Sequence, residues 1–214
     1  EPTPPVEGIN LNVPYFNQGT TPWGPQEYDT AVNWSSNPTV SRWGCAMTSA
    51  AMILNYYKHV IDPEGLNNWL KSQPDGYTRN GGVMWPAITR YTKIDSGENK
   101  PKLEFSYTGA QTSNIQSELE ATRPSVLKFV KENGNTHFMV AKGKNASDFL
   151  VNDPAKESVK TLTQALSSWG SLNKVGRFIP SETNLSYVVL MIDEDYEIKL
   201  TDQEGNPVEG EAGH

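Results

Sequence analysis

The sequence predicts an α+β fold in which helices precede an antiparallel sheet. The segment from Gly44 to Tyr57 is rich in alanine and unbranched apolar residues on nearly all sides, which favours a buried helix. Past Pro124, four β-rich runs are separated by turn residues: SVLKFV, HFMVAK, DFLVND and SYVVLMI. Because helices come first and strands later, the order is typical of an α+β architecture, here with a central buried helix packed on a C-terminal sheet.

Local signals predict the elements that precede this sheet. The run INLNVPYFNQ alternates weakly and predicts a short strand from Ile9 to Gln18. Asp62 before Pro63 is typical of an N-cap followed by the first helical position, and EGLNNWLKS continues that helix. A further short helix is predicted in GGVMWPAITRYT. TSNIQSELEAT carries a Ser/Thr-then-Gln capping pattern that ends at Gln116, and it predicts another helix.

Composition excludes several classes of function. The chain has 214 residues and a net charge of −7, which argues against a nucleic-acid partner. No run approaches the roughly 18–20 apolar residues that cross a bilayer, so we expect no membrane insertion. One cysteine excludes an internal disulfide framework and zinc sites built on several thiolates. The three histidines are far apart in sequence (His59, His137 and His214), and we expect neither a metal nor another cofactor.

The two ends of the chain differ in composition from its middle. Residues 1–9 are rich in proline and predict a linker, and residues 10–192 predict one folded domain. Residues 193–214 are acidic and predict either a tail or the start of a following β-domain. Linker-like ends and low cysteine use favour an exported protein. They are also compatible with one part of a multidomain surface protein, and we expect a monomer.

Cys45, the single cysteine, admits two interpretations. It follows Gly44 at the start of the predicted buried helix. A helix N-terminus beside an imidazolium favours the reactive thiolate, which would make Cys45 a nucleophile. Cysteine is also among the residues most often buried as a small inert hydrophobe. The residues around Cys45 do not by themselves decide between these alternatives.

A predicted hairpin brings a histidine close to a carboxylate. If its turn centres on Asn145, HFMVAK and SDFLVND pair so that His137 faces Asp153 and Ala141 faces Phe149. Asp153 could then orient the imidazole and stabilise its cation. Asn152 would point to the opposite face, and a slip of one residue would exchange the two roles. The alternative is a purely structural hydrogen bond.

Several segments, taken in order, resemble the peptidase C39-like family, whose fold is papain-like. They are VPYFNQ, GCAMTSAAMILNYY, RPSVLKF, HFMVAKG and VNDPA, within a resemblance from about Asn12 to Pro180. The resemblance implies that Cys45 is the nucleophile, His137 the general base and then acid, and Asp153 the carboxylate that orients it. It also implies that the Gln18 side chain and the Cys45 backbone N–H form an oxyanion hole.

The chain departs from this family in two places. Ala46-Met47 follows the cysteine where the family usually has Gly-Pro, so the start of the helix could be altered. The irregular segment Gly19–Arg42 is longer than in compact relatives, and irregular loops of that length are often functional. Four tryptophans are candidates to line a cleft and bind substrate, although we expect ordinary core and loop packing for at least half of them: Trp23, Trp34, Trp43 and Trp85.

The sequence therefore favours an exported cysteine peptidase that cleaves peptide or amide bonds through a thioester. We expect a peptide or protein substrate and an extracellular or cell-surface location in a bacterium. Transglutaminase-like acyl transfer uses the same residue types and remains an alternative. A second alternative is a catalytically silent papain-like module for binding or adhesion, in which the Cys45 thiol would be unreactive.

Overall fold

The computed structural model describes residues 8–182 and the isolated positions 201, 202, 204, 206 and 207. Its elements in chain order are β1 Ile9–Asn10, a 3-10 turn at Ala31–Asn33, α1 Val40–Trp43, α2 Cys45–Tyr56, α3 Pro63–Lys71, α4 Trp85–Ile94, β2 Leu103–Gly109, α5 Thr112–Glu120, β3 Ser125–Val130, β4 Thr136–Lys144, β5 Phe149–Asn152, α6 Leu162–Trp169 and β6 Ser171–Pro180. The predicted linker, the strand SYVVLMI and the predicted tail lie largely outside the described residues.

The strands form one antiparallel sheet with the order β1-β4-β3-β6-β2, and β5 also pairs with β4. Strand β6 lies between β3 and β2, so the last strand of the described domain is an inner one. Sequence patterning did not predict β2, β6 or α6. The sequence of β6, SLNKVGRFIP, mixes Asn, Lys, Gly and Arg into its apolar positions, which hides the alternation typical of a strand.

Helices cover both faces of this sheet. On one face, α2, α3 and α4 pack against Val126, Val140 and Phe178. On the other, α5 and α6 pack against residues that alternate with these along the strands, including Leu127 and Met139. The predicted α+β class and the central buried helix are confirmed, and the structure adds a helical layer behind the sheet.

Helix α2 is buried along most of its length. Every residue from Ala46 to Leu54 is buried, so this stretch of the helix has no solvent-exposed face. The departure at Ala46-Met47 leaves its first turn intact, because Met47 lies in the core and the Thr48 N–H donates to the Gly44 carbonyl at 2.8 Å. The α3 cap is also confirmed: Asp62 accepts from the Gly65 N–H at 2.8 Å, and Pro63 is the first helical residue.

Two local predictions are wrong. The strand predicted from Ile9 to Gln18 is limited to Ile9 and Asn10, because the Val13 N–H bonds to the Leu11 carbonyl and the next residue, Pro14, has no N–H. The capping role of Gln116 is also absent, since α5 begins at Thr112 and no side chain caps it. The Gln116 amide donates to Glu120 instead.

His59, just past the end of α2, is fully buried. Its Nδ1 lies 3.0 Å from Asp95 Oδ2, and its Nε2 lies 2.8 Å from the Pro101 carbonyl oxygen. Burial raises the pKa of Asp95, but hydrogen bonds from His59 and Lys100 outweigh it and hold that pKa below its usual value. The histidine thus ties α2 to the end of α4, far along α2 from Cys45.

The described part of the chain lacks two further kinds of feature. None of its helices is long and apolar enough to span a bilayer. Within the same residues, no cluster of three or more His, Cys, Asp or Glu side chains could hold a metal ion.

Candidate active site

The junction between α1 and α2 places Cys45 at the first position of a buried helix. A Cβ atom on Gly44 would lie 2.6 Å from the Val40 carbonyl oxygen, so only glycine allows the two helices to meet at this angle. Cys45 follows this turn and is partly exposed. The positive end of the α2 dipole therefore faces the sulfur and favours a negative charge there.

His137 is the second residue of β4, and its side chain is only 5% exposed. Its Nε2 lies 2.8 Å from Asp153 Oδ1, which leaves Nδ1 as the ring nitrogen available to Cys45. Burial lowers the pKa of His137, but hydrogen bonds to Asp153 and Cys45, together with their charges, outweigh it and raise the pKa to about 9. The three side chains therefore favour a protonated imidazole beside the thiol.

The predicted hairpin register is wrong, although it placed the correct residues on one face. Ala141 pairs with Val151 rather than Phe149, and the ladder has an irregularity between Ala141 and Gly143. The displacement is two residues at Ala141, so the side chains keep their faces. Asp153 lies just beyond the end of β5, and the His137 ring still reaches it.

Asp153 is fully buried and held from several sides. Besides His137, its Oδ1 accepts from the N–H groups of Ala155 at 2.8 Å and Lys156 at 3.2 Å. Its Oδ2 accepts from the Trp169 indole N–H at 2.7 Å. These bonds fix the carboxylate and stabilise its charge, so it can hold the imidazole in one orientation. Asn152 points elsewhere and donates to the Val13 carbonyl at 3.3 Å.

Trp169, the last residue of α6, is a part of this site that the sequence interpretation missed. Its ring stacks on His137 with 3.7 Å between centroids and 18° between planes. One signal was available: Thr161 and Gln164 form a capping box, which predicts a helix at this place in the chain. The tryptophan thus covers one face of the imidazole and also bonds its carboxylate partner.

Gly170 explains how Trp169 is held there. Its φ of +92° lies in the region that favours glycine, and a Cβ atom would lie 2.6 Å from the Val130 carbonyl oxygen. The end of α6 is thereby seated directly against the end of β3. Trp169 consequently lies next to the start of β4, where His137 is.

Gln18 bridges the segments that carry Cys45 and Asp153. Its Nε2 donates to the Ser41 carbonyl oxygen at 2.7 Å, and its backbone N–H donates to the Pro154 carbonyl oxygen at 2.8 Å. The side chain is buried, and its Oε1 has no hydrogen-bond partner among the described residues. Because the Ser41 carbonyl only accepts, it fixes which end of the amide faces α1, and the second N–H stays available.

The four tryptophans proposed to line a cleft occupy different environments. Trp85 is 8% exposed and stacks on Phe105 inside the core, so it offers almost no surface to a substrate. Trp34 and Trp43 pack edge to face at 5.2 Å, and Trp43 lies two residues before Cys45. Trp23 is half-buried and donates to the Asn17 carbonyl at 2.8 Å.

Two solved structures are similar to this chain. A crystal structure described as a C39-like peptidase from Bacillus anthracis matches with a TM-score of 0.51 and 18% identity over 83% of this chain and 100% of that one. The peptidase domain of Streptococcus ComA, described as a bifunctional ABC transporter involved in quorum sensing, matches with a TM-score of 0.45 and 17% identity over 65% of this chain and 93% of that domain. No curated protein matches.

The first of these structures shares the fold, which confirms the papain-like interpretation of the sheet and of the buried helix that begins at Cys45. A family model matches residues 10–177, and this range includes the four predicted catalytic residues, which are Gln18, Cys45, His137 and Asp153. The chain belongs to the Peptidase_C39 like family.

Proposed function

We propose that this protein is a cysteine peptidase that cleaves peptide bonds through a thioester on Cys45. The observation that carries the proposal is the His137 ring, whose Nε2 bonds the buried Asp153 at 2.8 Å while the ring also donates a hydrogen bond to Cys45. Nucleophile, acid–base group and orienting carboxylate are the three roles a thiol hydrolase requires.

The first half of the reaction forms the thioester. The Cys45 sulfur attacks the peptide carbonyl carbon, a C–S bond forms, and the carbonyl electrons move onto oxygen. The Cys45 backbone N–H and the free N–H of Gln18 Nε2 are the donors proposed to stabilise that oxyanion. As the oxyanion collapses, the C–N bond breaks, and His137 gives its proton to the leaving amine.

The second half regenerates the enzyme. Neutral His137 takes a proton from water, whose oxygen attacks the thioester carbon. Collapse breaks the C–S bond, releases the carboxylic acid and restores the thiolate beside the imidazolium. If an amine resolved the thioester instead of water, the result would be acyl transfer. With a primary amide such as a glutamine side chain as substrate, the leaving group is ammonia, so ammonia release and amine incorporation should be measured together on that substrate.

The most direct test requires no substrate. We expect iodoacetamide to alkylate Cys45 rapidly at pH values well below the ordinary thiol pKa of about 8.5, because the imidazolium stabilises the thiolate. The His137→Ala variant should lose this low-pH reactivity. Slow alkylation that titrates near the free-thiol value and is unchanged in the variant would contradict the proposal, and would favour a silent binding module.

The raised pKa of His137 predicts an alkaline limit to catalysis. Below a pH of about 9 the ring keeps its proton and can serve as the acid; as pH rises through that value the proton is lost. We therefore expect kcat/KM for peptide cleavage to fall above pH about 9, while alkylation, which needs only the thiolate, continues. Parallel pH profiles of the two reactions check this, and a joint decline would contradict it.

Trp169→Phe should separate stacking from hydrogen bonding. Phenylalanine keeps a ring over His137 but cannot donate to Asp153 Oδ2. A hydrogen bond to a charged group is worth about 1.5–3 kcal/mol, so we expect kcat/KM to fall roughly 10- to 100-fold. Trp69→Phe on α3, where the ring contacts Tyr91, is the matched control and should retain activity. Equal losses in both variants would indicate a general effect on folding.

A further inference from the structure

Two lysines lie over the tryptophan that covers His137. The Lys131 ammonium nitrogen is 4.8 Å from the centre of the Trp169 ring, and that of Lys156 is 4.7 Å away. Since Trp169 itself stacks on His137, both positive charges lie close to the catalytic imidazole. They come from different segments, the turn after β3 and the loop after β5.

The backbones that carry these lysines are fixed. The Lys131 N–H donates to the Asn135 carbonyl at 2.9 Å, and the Lys131 Cα is 3.1 Å from where a Cβ on Gly170 would lie. The Lys156 N–H bonds Asp153 Oδ1 at 3.2 Å. The two charges are therefore built into the site by the same contacts that place Trp169 and Asp153.

Neither charge is neutralised by an ion pair within the described part of the chain. Glu157, next to Lys156, lies 3.8 Å from Lys160 instead, and Glu132, next to Lys131, is exposed. Asp153 is fully buried and occupied by His137, Trp169 and backbone N–H groups. Two ammonium groups on one ring repel each other, and an incoming anion would offset that repulsion. The concentration of positive charge stands out in a chain of net charge −7.

The reaction chemistry indicates which part of the substrate these lysines border. A general acid must reach the leaving nitrogen, so the leaving part of the substrate lies on the His137 side of Cys45. Residues that pack on His137 therefore border that leaving part. Trp169 is such a residue, since it stacks on the His137 ring and bonds the carboxylate of Asp153, and Lys131 and Lys156 lie over Trp169.

We propose that Lys131 and Lys156 form a cationic rim that selects peptides with an acidic residue in the leaving segment. This inference rests on the proposed peptidase function for its substrate, although the rim's charge can be tested without any substrate. The peptide carboxylate would bind between the two ammonium groups, and the Trp169 ring would form the floor below it.

The first test compares alkylation of Cys45 by anionic iodoacetate and by neutral iodoacetamide at pH 7. We expect the ratio of the two rates to fall about two- to fivefold in the double variant K131Q/K156Q, the size that Coulomb's law gives for an anion roughly 10 Å from two positive charges in a water-like medium with some screening by salt. K144Q is the matched control, because Lys144 lies 5.2 Å from the Phe149 ring at the other end of β4. An unchanged ratio, or an equal fall in K144Q, would overturn the proposal.

Salt provides a second measurement on the unaltered protein. Raising the ionic strength should lower the ratio of iodoacetate to iodoacetamide alkylation rates more in the wild type than in K131Q/K156Q. Salt screens the attraction between iodoacetate and the two ammonium groups, and the variant lacks those groups. The same dependence in both proteins would count against the rim. This comparison decides the proposal even if the double variant folds poorly, since a wild-type ratio insensitive to salt already contradicts it.

The third test uses paired peptides that differ only by Glu or Gln in the leaving segment. We expect the wild type to cleave the Glu peptide with the higher kcat/KM, and K131Q/K156Q to lose this preference. Equal cleavage of both by the wild type would overturn the rim. If the wild type cleaves no peptide, the peptidase proposal is contradicted, while the alkylation ratio still decides whether the rim exists.

Discussion

Asp153→Asn is expected to lower kcat/KM for peptide cleavage by roughly 10³- to 10⁴-fold, the scale of loss when an orienting carboxylate becomes an amide. The carboxylate accepts from His137, Trp169 and two backbone N–H groups. An amide has one oxygen and one NH₂ group, so at least one of these donors would face another donor. The imidazole would lose the charge that stabilises its cation in either amide orientation, and it would also lose its orientation if the NH₂ group faced it.

The same substitution should move the alkaline limit of activity. The Asp153 carboxylate is one of the groups that raise the pKa of His137 to about 9. Without its charge, the pKa should fall towards the ordinary value near 6.5, and the loss of activity should begin at lower pH. Asp148→Asn is the control, because Asp148 lies in the same hairpin but its carboxylate bonds the N–H groups of Phe149 and Thr163 and the side chains of Thr161 and Thr163, none of which belongs to the site. A variant with an unshifted limit would show that Asp153 is only structural.

Much of the fold could be predicted because its signals are local. The continuous apolar run of α2, and Asp62 followed by Pro63, fix two helices by composition and capping alone. His137 and Asp153 could be placed together because a side-chain face survives a register error of two residues. The wrong register therefore still led to the correct pair.

What could not be predicted depends on contacts between distant segments. Strand β6 is recognisable mainly from its neighbours β3 and β2, since its own residues mix charge with apolar character. Trp169 becomes part of the site only because Gly170 lets α6 end against β3. Trp85 is the opposite case: it was predicted to line a cleft, and it lies instead in the core beside Phe105. None of these placements has a signal in the residue type alone.

Gln18→Ala is expected to reduce kcat for peptide cleavage by roughly 10²- to 10³-fold, the cost of removing one oxyanion donor. Gln18 is suited to that role because its Nε2 is anchored on the Ser41 carbonyl at 2.7 Å, close in sequence to Cys45, and retains one free N–H. The side chain is 5% exposed, so the donor is held away from solvent, where a hydrogen bond to a developing charge is strongest.

The reaction with iodoacetamide distinguishes this role from a general effect on the thiol. In alkylation the thiolate attacks the CH₂ carbon of iodoacetamide and displaces iodide, so no oxyanion forms. Cys45 of the Gln18→Ala variant should therefore be alkylated at close to the wild-type rate, while peptide cleavage falls. Gln26→Ala is the matched control. Gln26 lies in the irregular segment that follows Gln18, and its side-chain amide donates to Glu64 on α3 at 2.6 Å. If alkylation and cleavage fell together in Gln18→Ala, the oxyanion role would be contradicted. Gln18 would then act through its hydrogen bond to Ser41, by supporting the position of Cys45.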